Sequence, residues 1–321
     1  MTGARVGLVL GAGGVAGGAF HAGVLAALAD GTGWDPRQAA VIVGTSAGSI
    51  SGTSLRAGLP ARDLFARAQD RPLSAEGQRV MRGLGPIPGP PPLRPSRQPR
   101  AAADLAATLA RVARRPWAAR PTALAAALLP EGTVSTDMIS EGIGALLPGS
   151  WPPDPLWICA VRQSDGQRVV FGRGDRRPRV ADAVAASCAI PGFFAPVVID
   201  GEAHLDGGVH SPTNADVVRN EPLDLVIVSS PMSRRGRRPR LSADQPMRAW
   251  AGALLDAEAR RLRRRGIEVV AFQPDEAVLG TMGLNAMDPS RRGSIASAAY
   301  QAVRHRLEGT GLTDRLAALR R

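Results

Sequence analysis

Val6–Leu10 is an unbroken apolar run that stops at a glycine cluster, and residues 19–29 beyond it have the composition of a helix. A short apolar run closed by glycine predicts a strand buried on both faces, so the segment reads strand, turn, helix. Val41, Ile42 and Val43 repeat the pattern: they are β-branched throughout, close on Gly44, and are followed by a helix-like stretch over residues 47–55. Two such units in succession predict parallel strands joined by crossover helices. Apolar runs at residues 156–161, 169–171, 197–199, 225–228 and 267–272 supply further strands. The expected class is α/β, a three-layer α/β/α sandwich on a mostly parallel central sheet, with residues 1–321 forming a single domain.

The pattern changes between residues 71 and 132. Residues 86–99 hold seven prolines in fourteen positions, which excludes both helix and central strand and makes the stretch a loop or stiff linker. After it, Leu105, Leu109 and Val112 stand at helical spacing with Arg111, Arg114 and Arg115 beside them. This is the pattern of an amphipathic helix, read either as packed on its own domain or as a cap over a site. Residues 71–132 are therefore expected to form a Pro/Arg-rich insertion or cap.

Composition narrows the function classes. The chain of 321 residues is 44% hydrophobic and 21% charged, which is the balance of a folded protein. Lys+Arg number 40 against 28 acids, a formal net charge of +12, and every cation is arginine. A codon bias accounts for that, while a functional reading is attraction to anionic surfaces such as lipid head groups. The low aromatic content, 4%, argues against stacking on nucleic acid bases, so no nucleic acid partner is expected. Basic clusters at residues 234–240 and 260–265 read as solvated surface, the second favoured at a helix C-terminus by the dipole. Cys159 and Cys188 alone give neither a disulfide framework nor zinc spacing. No leader pattern opens the chain, and no run reaches the roughly 18 apolar residues that span a bilayer. The expectation is a cytoplasmic protein, without metal or organic cofactor, that touches membranes peripherally.

The first glycine cluster, Gly11-Ala12-Gly13-Gly14-Val15-Ala16-Gly17-Gly18, lies between strand and helix, where backbone N–H groups point at an anion. It approaches the dinucleotide fingerprint, which would make the chain a nucleotide-binding oxidoreductase. That fingerprint wants an acid at the tip of the second strand; Asp30 and Asp35 both precede that strand. The second strand ends instead at Gly44-Thr45-Ser46-Ala47-Gly48, a G-x-S-x-G between a β-branched strand and a helix. The turn is so tight that Gly44 and Gly48 must be small, and the Ser46 hydroxyl is then presented at the carboxyl edge of the sheet. A nucleophilic serine needs a base, yet none of the four histidines fits: His21 follows the glycine loop, His204 precedes the obvious acid, His210 lies just past it, and His305 sits on an Arg-rich helical stretch. The obvious acid is Asp206, in Asp206-Gly207-Gly208; alone, an aspartate before two glycines reads only as a tight turn.

The glycine loop, the G-x-S-x-G about thirty residues on, the block Ala186-Ser187-Cys188-Ala189-Ile190-Pro191-Gly192-Phe193-Phe194-Ala195-Pro196, and Asp206-Gly207-Gly208 occur in that order. Together they resemble the patatin-like phospholipases over residues 6–217. The resemblance implies a Ser-Asp dyad with no histidine, in which Ser46 is the nucleophile and Asp206 the base. It implies an acyl-enzyme intermediate and an oxyanion hole from the amides of Gly13, Gly14 and Val15. The substrate expected is a phospholipid or another lipid ester. One departure stands out: the family's loop commonly carries Arg or Lys before its last glycine, where this chain has Ala16-Gly17-Gly18. A catalytically weak lipid-binding protein of the same fold is the other alternative.

Overall fold

A computed structural model describes residues 4–82, 129–130, 132–236, 242–309 and 316. The proline-rich stretch and the amphipathic pattern at 105–112 lie outside the described residues. So do residues 237–240 of the first basic cluster.

Eight strands form one sheet. β1 (Val6–Leu10), β2 (Val41–Thr45), β7 (Leu225–Ser229) and β8 (Glu268–Phe272) run parallel with β3 (Leu156–Arg162), in the order β3-β2-β1-β7-β8. β4 (Arg168–Phe171) and β6 (Glu202–Asp206) pair antiparallel with β3, and β5 (Val197–Ile199) pairs antiparallel with β6. The mostly parallel α/β sandwich expected from the apolar runs is the architecture observed. Its antiparallel part is confined to one end, where β4, β5 and β6 are short.

The helices are α1 (Gly14–Thr32), α2 (Ala47–Arg56), α3 (Ala61–Ala68), α4 (Ala75–Val80), α5 (Asp137–Leu146), α6 (Val180–Ser187), α7 (Gln245–Arg263), α8 (Glu276–Met282) and α9 (Arg292–Gly309). The period of two in each strand divides the core into two layers. Leu8, Leu10, Ile42, Ile158 and Ala160 point to one face and pack with α1, α6 and α9. Val9, Val43, Trp157, Cys159, Val226 and Val228 point to the other and pack with Leu255, Ala259 and Leu262 of α7. Since both faces are covered, the strands read as continuous apolar runs without alternation, which is why they stand out in the sequence.

One boundary differs from the sequence reading. α1 begins at Gly14, inside the glycine cluster, so only Gly11, Ala12 and Gly13 remain as loop before it. Gly23 explains part of this tolerance for small residues: a Cβ there would run into the Ala296 carbonyl of α9, so α1 and α9 pack backbone to backbone.

Candidate active site

Ser46 sits between the end of β2 and the start of α2 with φ 52° and ψ −121°, a left-handed conformation that side-chain-bearing residues rarely adopt. Such a backbone costs on the order of 1–3 kcal/mol and persists only where its surroundings fix it. Here they do. The Ser46 amide donates to Ser187 Oγ at 2.9 Å, whose hydroxyl donates to the Cys159 carbonyl at 2.6 Å. On the other side, Ser49 Oγ donates to the Ser46 carbonyl at 2.7 Å, as does the Ser49 amide at 2.8 Å. The flanking glycines are required by contact: a Cβ at Gly48 would overlap the Leu10 carbonyl, and one at Gly44 would overlap the backbone of Ser49.

Asp206 reaches Ser46 through the register of β3. Thr45 stands opposite Cys159 and Asp206 opposite Ala160, the next residue of the same strand. β4 pairs with both Cys159 and Ala160, so it fills the other edge. β2 and β6 therefore lie end to end along one edge of β3, with Ser46 and Asp206 at the junction. The Ser46 side chain is near enough to the Asp206 carboxyl to act on its titration, pulling it down. Asp206 Oδ1 also accepts from the Gly208 amide at 2.7 Å. Both residues are nearly closed to solvent, Ser46 at 4% and Asp206 at 5% exposure. Burial dominates the titration of Asp206 and pushes its carboxyl up to about 6, against the opposing pull of Ser46 and of the Gly208 amide. Gly207 packs so tightly on the Cys159 carbonyl that a Cβ there would overlap it, so the turn after Asp206 is held against β3.

The glycine loop closes the third side. Its early amides are engaged: Gly11 donates to Ser229 O at 3.0 Å and Ala12 to Pro212 O at 2.7 Å, while Ala16 in the first turn of α1 donates to Ala286 O at 2.9 Å. Helix geometry leaves the amides of Gly13, Gly14 and Val15 without an intrahelical acceptor. Gly14 and Val15 line the same cavity as Ser46, a space of about 410 Å³ whose walls are mainly apolar. Gly14 has φ +60°, and a Cβ on it would press on Met287 Sδ at 2.7 Å. The first turn of α2 likewise directs its N-terminal end at Ser46, favouring negative charge there.

The histidines are placed elsewhere. His21 is fully buried in α1, with Nδ1 2.8 Å from Ser229 Oγ and Nε2 2.8 Å from the Gly11 carbonyl. A carbonyl only accepts, so Nε2 carries the proton and Nδ1 accepts from the Ser229 hydroxyl. Burial pulls its ring down to about 4, and the neutral ring braces the glycine loop. His204 packs edge-on against Phe171 at 5.2 Å, His210 lies where its charge acts on Asp216, and His305 is exposed on α9. Cys159 and Cys188 are free and buried; burial pushes the Cys159 thiol up to about 12 and Cys188 higher still, so neither is a thiolate nucleophile at neutral pH. Among the described residues no group of His, Cys, Asp and Glu is arranged to hold a metal ion, and no helix is long and apolar enough to cross a membrane.

Two contributors escape a reading of the motifs alone. Asn214, itself left-handed at φ 53°, directs Nδ2 at Thr45 Oγ1 (3.1 Å), Gly207 O (3.2 Å) and Ser211 O (2.7 Å). It thus ties the residue before Ser46 to the residue after Asp206. Arg67 and Arg292 line the cavity although they come from α3 and α9, far from any motif. Ser187, by contrast, lies inside the block that precedes Asp206, and its place in that block was the available signal.

A strand-to-helix serine turn beside a buried carboxylate, on a mostly parallel sheet covered on both faces, defines an α/β protein. The model of the patatin-like phospholipase family matches residues 8–219, and the chain belongs to that family, whose chemistry is lipid acyl hydrolysis. Among solved structures it is similar to VipD from Legionella pneumophila, at 13% identity and a TM-score of 0.45, with 95% of this chain and 67% of that one covered.

Proposed function

We propose that the protein hydrolyses acyl esters of lipids, as a phospholipase A or lysophospholipase, through a Ser46–Asp206 dyad and an acyl-enzyme. The observation that carries this reading is a strained, buried Ser46 that lines a mainly apolar cavity and stands at the β2–β6 junction beside a buried Asp206. In the first half-reaction Asp206 takes the hydroxyl proton as Ser46 Oγ bonds to the ester carbonyl carbon. The carbonyl oxygen becomes an oxyanion facing the amides of Gly13, Gly14 and Val15, where the loss of one donor costs about 3 kcal/mol of barrier. Collapse expels the alcohol, which leaves with the proton from Asp206, and Ser46 holds the acyl group. Water then attacks the acyl-enzyme with Asp206 again taking its proton, and the fatty acid departs as Ser46 regains its hydrogen.

Asp206 suits both halves because a carboxyl near 6 is ionised at neutral pH and still basic enough to accept a proton. The cavity accepts an acyl chain, since its walls carry Ile139, Ile143, Leu146 and Phe194. The excess of arginine favours peripheral contact with an anionic membrane, which would deliver the lipid. The nucleotide-binding alternative loses ground because Gly14 and Val15 line the same cavity as Ser46 and no acid stands at the tip of β2, which ends at Thr45.

The test is reaction with a fluorophosphonate probe. Ser46 is expected to be the labelled residue, with labelling abolished in Ser46→Ala and reduced at least about 10³-fold in Asp206→Asn. A folded protein that resists the probe overturns the reading and favours the lipid-binding alternative. Full labelling of Asp206→Asn removes Asp206 from the dyad.

A further inference from the structure

The cavity that opens onto Ser46 contains an electrostatic feature that acyl-chain binding does not use. Two of its lining residues are arginines, Arg67 from α3 and Arg292 from the first turn of α9, and no carboxylate is among the described residues that line it. Arg292 Nη2 donates to Asp70 at 2.9 and 3.3 Å, but the Asp70 side chain is 78% exposed, so the pair is screened by water. The Nε of Arg292 is buried without a hydrogen-bond partner. Arg67 is half-buried and forms no ion pair with any described residue; the charge that acts on it is the like charge of Arg292. Burial first, and Arg292 second, pull its guanidinium below the ordinary arginine value. Two like charges on one mainly apolar cavity, one of them half-buried without an ion pair to any described residue, are costly unless an anion joins them. A pair of planar guanidinium forks matches the several oxygens of a phosphate, each fork able to donate two parallel N–H bonds. The glycine loop carries no cation in this chain, and Gly18, which lines the same cavity, has open space around its Cβ position.

We propose that Arg67 and Arg292 form a subsite for the phosphate of a glycerophospholipid, so that this chain selects phosphate-bearing lipid esters over neutral glycerides. The proposal rests on the acyl-hydrolase reading and adds to it the residues that select a phosphate-bearing lipid over a neutral one. Asp70 tempers the subsite by neutralising part of Arg292.

The experiment compares kcat/KM for phosphatidylglycerol and for a diacylglycerol with the same acyl chains, each presented in micelles of a neutral detergent. The full chain is expected to favour the phospholipid. Arg67→Gln and Arg292→Gln are each expected to lower that preference about tenfold, chiefly through KM for the phospholipid. Asp70→Asn is expected to raise it. Both substrates are measured on one preparation, so the ratio does not depend on how much of a variant folds. A preference that stays the same in both arginine variants overturns the subsite while leaving the hydrolase reading intact. A wild-type chain that cleaves neither lipid, nor p-nitrophenyl butyrate, overturns the hydrolase reading and the subsite with it.

Discussion

Asp206 carries a tension that is measurable at the level of one residue. Its carboxyl is raised from 3.8 to about 6 because the site is buried, yet the proposed dyad needs it ionised. Activity is therefore expected to rise with pH along a single ionisation and to level off above about 6, in a pH profile of kcat/KM for a neutral ester. A flat profile through that region would assign the base elsewhere. The same burial acts on stability. The folded state holds this proton more tightly than the unfolded chain, so folding is favoured below pH 3.8 and loses that contribution as pH rises through about 6. At pH 7 Asp206→Asn removes the cost of the buried charge, and its urea midpoint is expected to rise by the equivalent of on the order of 1–3 kcal/mol while turnover is lost. An inactive variant that is also less stable would show that the carboxylate supports the fold. The backbone of Ser46 shows the matching case on the other partner, a strained residue held by Ser187 and Ser49.

At the level of elements, the site is a consequence of where strands stop. β2 ends at Thr45, and β6 continues along the same edge of β3 from Asp206, so the two chain ends meet without any loop having to reach inward. Asn214 secures the junction, and its left-handed backbone allows a clean deletion of the side chain. Asn214→Gly keeps that backbone accessible while removing the amide that holds Thr45, Gly207 and Ser211. The expected result is a stability loss of about 1–3 kcal/mol, read by denaturant midpoint, together with a kcat about tenfold lower at nearly constant KM. A fall in stability with kcat unchanged would make Asn214 a brace for the fold only. Every strand but β6 was legible in the apolar runs to within a few residues, but this junction was not. It depends on which residue of β3 each partner faces, and register is set by pairings between segments far apart in the chain.

At the level of the whole molecule, the formal charge of +12 already counts every acid, so it is the excess of cations over their acidic partners that an anionic membrane meets. Arg168 and Arg261 both pair with Asp216, and Arg37 with Asp35 and Glu76. The remaining cations give a field that salt screens, with a Debye length near 10 Å at about 0.1 M falling to about 3 Å at 1 M. Co-sedimentation with phosphatidylglycerol vesicles is therefore expected at low ionic strength and is expected to fade as salt is raised, with little binding to phosphatidylcholine vesicles throughout. Binding that ignores both salt and lipid charge would point to apolar insertion as the source of membrane contact.

The α/β class and the serine turn were readable in the chain for a local reason, whereas the role proposed for Asp206 came only from the family resemblance. A buried parallel strand needs a continuous apolar run, and a strand-to-helix turn as tight as Gly44–Gly48 leaves room only for glycine at its ends, so both constraints are written within a few adjacent residues. The family resemblance rested on those same residues, and it implied a dyad without histidine. Only the tertiary structure decided what His21 does instead, because a ring's role follows from the carbonyl and hydroxyl that burial brings to its two nitrogens. It also decided that α1 starts at Gly14, that Asn214 joins Thr45 to Gly207, and that Arg67 and Arg292 share the cavity of Ser46. These residues lie up to 225 positions apart, and among the described, chemically identical arginines it is the packing of α3 against α9 that brings Arg67 and Arg292 to the site.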